Sequence, residues 1–207
     1  MESSLQKGHT VDIKRLIRDL DAISYKTGLG KNLRNTLRKV DKEDLMRELT
    51  DYRLFLRKRR RLLNKYTYRI KSLHSLKLKY DRYYPTKEIG VCFNDLLCIR
   101  VIVESYDIDL HSENIKHVDM SNGKKNDDGY RGYHIYYKKS NYHYPIEVQF
   151  FTERDYIFNM WLHKYVYKYE NNAIGIKLKE LYDEGIITNE DDFKERLKSV
   201  LHSSKGF

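Results

Sequence analysis

Apolar residues recur at helical spacing along the first third of the chain and at strand spacing along its middle. Within residues 11–24, Ile13, Leu16, Ile17 and Leu20 share one face while Lys14, Arg15 and Arg18 lie elsewhere, which predicts an amphipathic helix ending before the flexible Gly28-Leu29-Gly30. A longer helix is predicted from Asp41, an N-cap with Asp44 three residues on, with Leu45, Leu49, Tyr52, Leu56 and Leu63 along one stripe. After Tyr83-Tyr84-Pro85 the period changes. LLCIRVIVE, at 96–104, is a β-branched apolar run of strand length, and HIYYKK from His134 and YPIEVQFF from Tyr144 predict two more strands, joined around Ser140-Asn141. Helical spacing returns at 153–169, 176–184 and about 191–201. Helices, then strands with short connections, then helices predict an α+β domain with one mixed or antiparallel sheet flanked by helices.

Composition narrows the class. A length of 207 residues suits one domain with a real core, and 40% hydrophobic residues with only 10 Gly and 2 Pro describe a folded chain. No apolar run approaches the roughly 20 residues of a membrane span, and the opening MESSLQKGHT is unlike a signal peptide, so a soluble, cytoplasmic protein without a membrane partner is expected. Cys92 and Cys98 share one apolar segment and lack the paired spacing of a zinc site, which points to a core role. Charge is distributed unevenly. Residues 1–82 hold 23 Lys and Arg against 10 Asp and Glu, whereas residues 83–207 hold 17 against 20. That asymmetry suggests a polyanionic partner for the first part, nucleic acid or nucleotide phosphates ahead of a membrane surface, with solvated helix faces as the alternative. The basic run RKRRR at 57–61 leads directly into a second basic segment, RIKSLHSLKLK, and the 19 tyrosines supply rings able to stack on bases as well as fill a core.

Two carboxylates stand out against this background. Asp95 lies just before the apolar strand, and Glu147 sits inside YPIEVQFF with Gln149, on the face opposite Ile146, Val148 and Phe150. A buried carboxylate needs a cation, a metal or an open cleft, and two from neighbouring strands suit Mg²⁺; a solvent-facing Glu147 on a half-exposed sheet is the alternative. In YRIKSLHSLKLK the spacing of Arg69, Lys71, Ser75 and Lys79 allows several of them to converge on polyphosphate oxygens. No GxxxxGK loop, HExxH motif, HD pair or nucleophile elbow occurs, and GLGK at 28–31 reads as a turn.

These elements resemble the RelA/SpoT-type nucleotide pyrophosphokinases, in particular the small single-domain alarmone synthetases. The resemblance spans about residues 66–169. The family's RxKSxxSxxxK element matches at Arg69, Lys71, Ser72, Ser75 and Lys79; its D-L-x-G-I-R strand matches as DLLCIR at 95–100; its N-G-Y-R-S-x-H element matches as DGYRGYH at 128–134; and its V-E-V-Q-x-x-T matches as IEVQFFT at 146–152. On this resemblance the fold is a nucleotidyltransferase-like mixed sheet flanked by helices, with helical extensions at both ends. The chain then divides into a basic helical region (1–66), a synthetase core (67–170) and C-terminal helices (171–207), together one compact domain. The resemblance implies transfer of the β,γ-pyrophosphate of ATP to a ribose 3′-hydroxyl, with no hydrolase motif. Arg69, Lys71, Ser75 and Lys79 would bind ATP, Asp95 and Glu147 would share Mg²⁺, and Glu147 would orient or deprotonate the attacking hydroxyl. Tyr130 would stack on the acceptor base, Arg131 and His134 would contact acceptor or phosphates, and Gln149 would support the site.

Departures from the family pattern fall on the acceptor side. Asp128 stands where the family has Asn, Asn126 where it has Lys, Cys98 where it has Gly, and Leu162 where alarmone-making relatives carry Glu in the following helix. Two acceptors follow from the resemblance. The preferred one is the 3′-terminal adenosine of tRNA, the substrate of the family's toxic branch, which YRGYHIYYK and NMWLHKYVYK resemble; it implies inhibited translation and a protein antitoxin as partner. The alternative is GDP or GTP, giving (p)ppGpp. A further alternative is a non-catalytic nucleic-acid-binding module that keeps the scaffold.

Overall fold

The computed structural model describes residues 12–110 and 112–203. The predicted helix start at residue 11 lies outside the described residues; within them, helix α1 spans Ile13–Ile23, with Asp12 accepting from the Arg15 amide at 3.0 Å. Helix α2, Lys42–Lys58, is capped as predicted by Asp41, whose carboxylate accepts from the amides of Glu43 and Asp44. It does not continue to Leu63. The helix ends at Arg59, whose guanidinium lies 3.4 Å from the centre of the Phe55 ring and donates to the Ala22 carbonyl at 3.1 Å, tying α2 to α1. A separate short helix, α3 (Arg60–Leu63), then buries Leu63.

The basic segment that follows is part strand and part helix. Thr67–Ile70 forms strand β1, and Ser72 caps helix α4 (Leu73–Tyr83) by accepting from the Ser75 amide at 3.1 Å. A short helix α5 (Ile89–Cys92) precedes β2 (Leu97–Ile102). Next come β3 (Ile115–Asp119), β4 (Tyr133–Tyr137) and β5 (Ile146–Phe151). The sheet has the order β1-β2-β5-β4-β3, with β2 and β5 parallel and every other pair antiparallel. It is therefore the mixed alternative of the two sheets expected. Two of its strands, β1 and β3, are not among those predicted from the sequence; both are edge strands.

The two faces of the sheet differ in chemistry. On one, Ile99, Val148 and Ile135 align across β2, β5 and β4 and are fully buried, joining Leu16, Leu20, Leu45, Leu49, Leu56 and Leu76 of α1, α2 and α4 in the main core. On the other, one row crosses all five strands through Arg69, Cys98, Glu147, Tyr136 and Lys116. The adjacent row runs through Thr67, Arg100, Gln149, His134 and Val118. The apolar face anchors the helices, so the polar face is left for chemistry.

A second core joins the C-terminal elements, built from Phe158, Leu162, Val166, Ile174, Leu178 and Phe193. The helix predicted over 153–169 is in fact interrupted. Helix α6 (Glu153–Trp161) passes into a π-helical turn, Leu162–Val166, and a 3₁₀ turn, Tyr167–Tyr169, before Glu170 takes a left-handed conformation. Helices α7 (Asn172–Asp183) and α8 (Glu190–Ser203) complete the order. No helix among the described residues is long and apolar enough to cross a membrane.

Candidate active site

The cationic end of the site is built by β1 and α4. The Lys71 amide donates to the Leu96 carbonyl at 2.8 Å, extending the β1–β2 ladder by one rung and bringing the Lys71 side chain beside Asp95. Helix α4 then returns Lys79 to the same carboxylate. Lys71 Nζ donates to Asp95 Oδ2, and Lys79 Nζ donates to Asp95 Oδ1 at 2.8 Å. All three side chains are 17–18% exposed. Burial pushes the Asp95 carboxyl up, but the hydrogen bonds and charges of Lys71 and Lys79 outweigh it and hold the group below its ordinary value. Arg69 is exposed on β1. Ser75 lies in the first turn of α4, its hydroxyl 2.9 Å from that of Ser72.

Glu147 occupies the centre of the polar row and is 5% exposed. The solvent-facing alternative does not hold. His134 Nδ1 lies 3.2 Å from Oε1, and the Tyr136 hydroxyl donates to the same oxygen at 3.2 Å. Burial raises the carboxyl, but the hydrogen bond from His134, with smaller help from Gln149 and Cys98, holds it below the ordinary range. The Tyr136 hydroxyl is pushed up first by burial, then by Glu147, and to a smaller extent by the charge of Asp95. The buried Cys98 thiol is likewise raised by burial and Glu147, with Arg100 and Arg69 acting in the opposite direction. Arg100 Nε lies 3.5 Å from Gln149 Oε1.

The loop DDGYRGYH is held from several sides. Asp127 and Asp128 accept from the amides of Gly129 and Tyr130, and Gly129 has φ +84°. A Cβ on Gly129 would lie 2.3 Å from the Gly175 carbonyl oxygen, and one on Gly175 would lie 2.0 Å from that of Asp128. The turn therefore rests backbone to backbone on α7, a contact that only two glycines permit. Arg131 spends its guanidinium on both oxygens of Asp127, at 2.8 and 3.1 Å, and on the Tyr130 carbonyl at 2.9 Å. Asn159 of α6 clasps the Arg131 backbone, accepting from its amide at 3.3 Å and donating to its carbonyl at 2.6 Å. The Tyr130 hydroxyl lies 2.7 Å from His134 Nε2, and Lys124 lies over its ring at 4.5 Å while donating to Asp128 at 2.7 Å. A cavity of about 330 Å³ opens beside Lys124 and Asp128, walled by Val166, which ends the π-turn, and by Tyr167.

The site residues expected from the sequence thus lie on the polar face of the sheet, in the loops that feed it, or, for Ser75 and Lys79, on α4. Lys71, Lys79 and Asp95 form one group; Glu147, His134, Gln149 and Tyr130 form another; Arg131 is turned into its own loop. Arg100, Tyr136, Lys124, Asn159 and Gly175 are additions that sequence reasoning missed. The first two carried a signal, since each stands two residues after a polar-face position, Cys98 or His134, in its strand. Leu162 is fully buried in the second core.

No family model matches the chain, and no curated protein matches it. Among solved structures the chain is similar to small alarmone synthetase 2 of Bacillus subtilis (20% identity, TM-score 0.45, covering 79% of this chain and 100% of that one). It is also similar to small alarmone synthetase 1 of the same organism bound to its product pppGpp (18% identity, TM-score 0.42, covering 78% and 95%). A Streptococcus mutans protein is similar at 16% identity and TM-score 0.41, covering 81% and 100%.

Proposed function

We propose that this chain is an ATP-dependent pyrophosphokinase that transfers the β,γ-pyrophosphate of ATP to a ribose 3′-hydroxyl. The observation that carries the reading is the convergence of Lys71 and Lys79 on Asp95 beside a polar row in which Arg69 and Glu147 are aligned. Arg69, Lys71, Lys79 and Arg100 exceed Asp95 and Glu147 in charge, which suits a polyphosphate far better than a neutral ligand.

The 3′-oxygen attacks the β-phosphorus, the bond from that phosphorus to the α,β-bridging oxygen breaks, and AMP leaves. Glu147 receives the hydroxyl proton; held ionised and oriented by His134 and Tyr136, it is prepared to do so. Lysines released from Asp95 neutralise the migrating phosphates, and Arg69 and Ser75 extend the same cradle.

The donor set fits Mg²⁺: Asp95 and Glu147 offer hard oxygens. Among the described residues no group of three His, Cys, Asp or Glu forms an all-protein metal site, so phosphates and water would complete the coordination. A metal so held would neutralise charge on the transferred group.

The preferred acceptor is the 3′-terminal adenosine of tRNA, a reaction that blocks aminoacylation and makes the chain a toxin with a protein antitoxin. Its support is the basic surface where α2 gives way to α3: Arg59 is committed to Ala22 and Phe55, while Arg57, Lys58, Arg60 and Arg61 are exposed. GDP or GTP is the second reading, favoured by Asp128 on the cavity wall, because an ionised carboxylate accepts from both guanine N1–H and N2–H. Glu147→Gln, measured for AMP release from ATP with each acceptor, should abolish transfer; activity near the parent level refutes the role given to Glu147.

A further inference from the structure

Both ring nitrogens of His134 are taken. The ring is buried, 6% exposed, between Tyr130 on one side and Glu147 on the other. An ionised carboxylate only accepts, so Nδ1 carries a proton and donates it to Glu147 Oε1 at 3.2 Å. In the neutral ring Nε2 is then an acceptor and takes the Tyr130 hydroxyl at 2.7 Å. No nitrogen is left to contact an acceptor nucleotide. The ring is also held by edge contacts, with Tyr130 at 5.7 Å and Phe151 at 6.1 Å between centroids.

Tyr130 is one end of this chain, joined to it by its hydroxyl. Its ring meets His134 and Phe151 edge-on and packs against the second core, and the Lys124 ammonium, which Asp128 holds, lies over it. Glu147 is the opposite end, gripped by Tyr136 as well as His134.

We propose that His134 is a positioning residue that couples the seating of the Tyr130 ring against an acceptor to the orientation of the Glu147 carboxylate. Displacement of Lys124 by a base shifts the Tyr130 ring, its hydroxyl moves on Nε2, and the imidazole transmits that shift to Oε1. This coupling rests on the pyrophosphokinase reading above. It assigns Tyr130 a second task besides offering a ring, carried by its hydroxyl.

The test combines a spectroscopic and a kinetic measurement on the full chain. In ¹⁵N-histidine-labelled protein, His134 should carry a proton on Nδ1, and Tyr130→Phe should move the Nε2 resonance; a proton on Nε2 alone, or an unmoved resonance, overturns the proposal. Tyr130→Phe keeps the ring but loses one hydrogen bond, so kcat should fall roughly threefold to tenfold with the acceptor KM nearly unchanged. His134→Gln should lower kcat by on the order of 10- to 100-fold, as loss of an orienting partner does. In the double variant the Tyr130→Phe loss should vanish, because the link it acts through is already cut. Transfer by the parent enzyme with additive losses overturns the coupling alone; no transfer by the parent to any acceptor overturns the activity reading and the coupling with it. Should His134→Gln fail to fold, the labelled parent and Tyr130→Phe still decide.

Discussion

Lys79 donates to Asp95 Oδ1 at 2.8 Å while Lys71 holds Oδ2, so a carboxylate proposed here to bind a metal has both oxygens covered by ammonium groups. On the proposed reading, polyphosphate oxygens would compete for the same lysines, and nucleotide binding would thereby uncover Asp95. Divalent metal binding should accordingly be weak without nucleotide. Titration of the free protein with Mn²⁺, followed by electron paramagnetic resonance, should show little bound ion, and an ATP analogue with a non-transferable pyrophosphate should bring it in. Lys79→Met should strengthen Mn²⁺ binding to the nucleotide-free protein. Tight binding by the free parent protein would contradict this order.

Gly129 and Gly175 meet through their backbones, and that contact sets where Asp128 and Tyr130 stand. Gly175→Ala forces either the loop or α7 to move and should cost about 1–3 kcal/mol of stability, the range for overpacking. Activity should fall by more than the folded fraction does, because the displaced turn carries Tyr130. Thermal melts and turnover measured on the same preparation check both statements. Lys177→Ala, on the exposed face of the same helix, serves as the control and should leave both nearly unchanged.

The Asp95 carboxyl also makes stability depend on pH. Its folded pKa lies below its ordinary value, so it stabilises the fold above that value, and the contribution disappears as pH falls through the folded pKa. Replacing both partners, Lys71→Met with Lys79→Met, removes what holds the pKa down and leaves burial to raise it. The parent should therefore be more stable than the double variant near neutrality, and the gap should close as pH drops below about 4. Denaturant melts across that range measure it; a gap independent of pH would show that the lysines act by packing alone.

Much of this architecture was legible before any coordinates. The central strands β2, β4 and β5 were visible because burial leaves an apolar run or a strict alternation, and Glu147 stood out by interrupting one. The edge strands were not. TYRI and IKHVD are short, partly exposed and polar, and only pairing with a distant neighbour makes them strands. The helix over 153–169 looked continuous because a π-turn leaves the apolar residues Leu162 and Val166 in place. At the site, residue types were readable but relationships were not. Asn159 on the Arg131 backbone and Gly175 under Asp128 are tertiary contacts, with no local spacing to announce them.

The most direct measurement supplies γ-labelled ATP with GDP, GTP or deacylated tRNA in turn and follows both the label and the adenosine product. The account predicts label in an acceptor together with AMP rather than ADP, and, on the preferred acceptor, label at the tRNA 3′ end with a steep loss as salt rises or as Arg57, Lys58, Arg60 and Arg61 are reversed in charge. Label in guanosine nucleotide and none in tRNA would overturn the acceptor while keeping the chemistry. Label in no acceptor, with ATP left intact, would contradict the account as a whole.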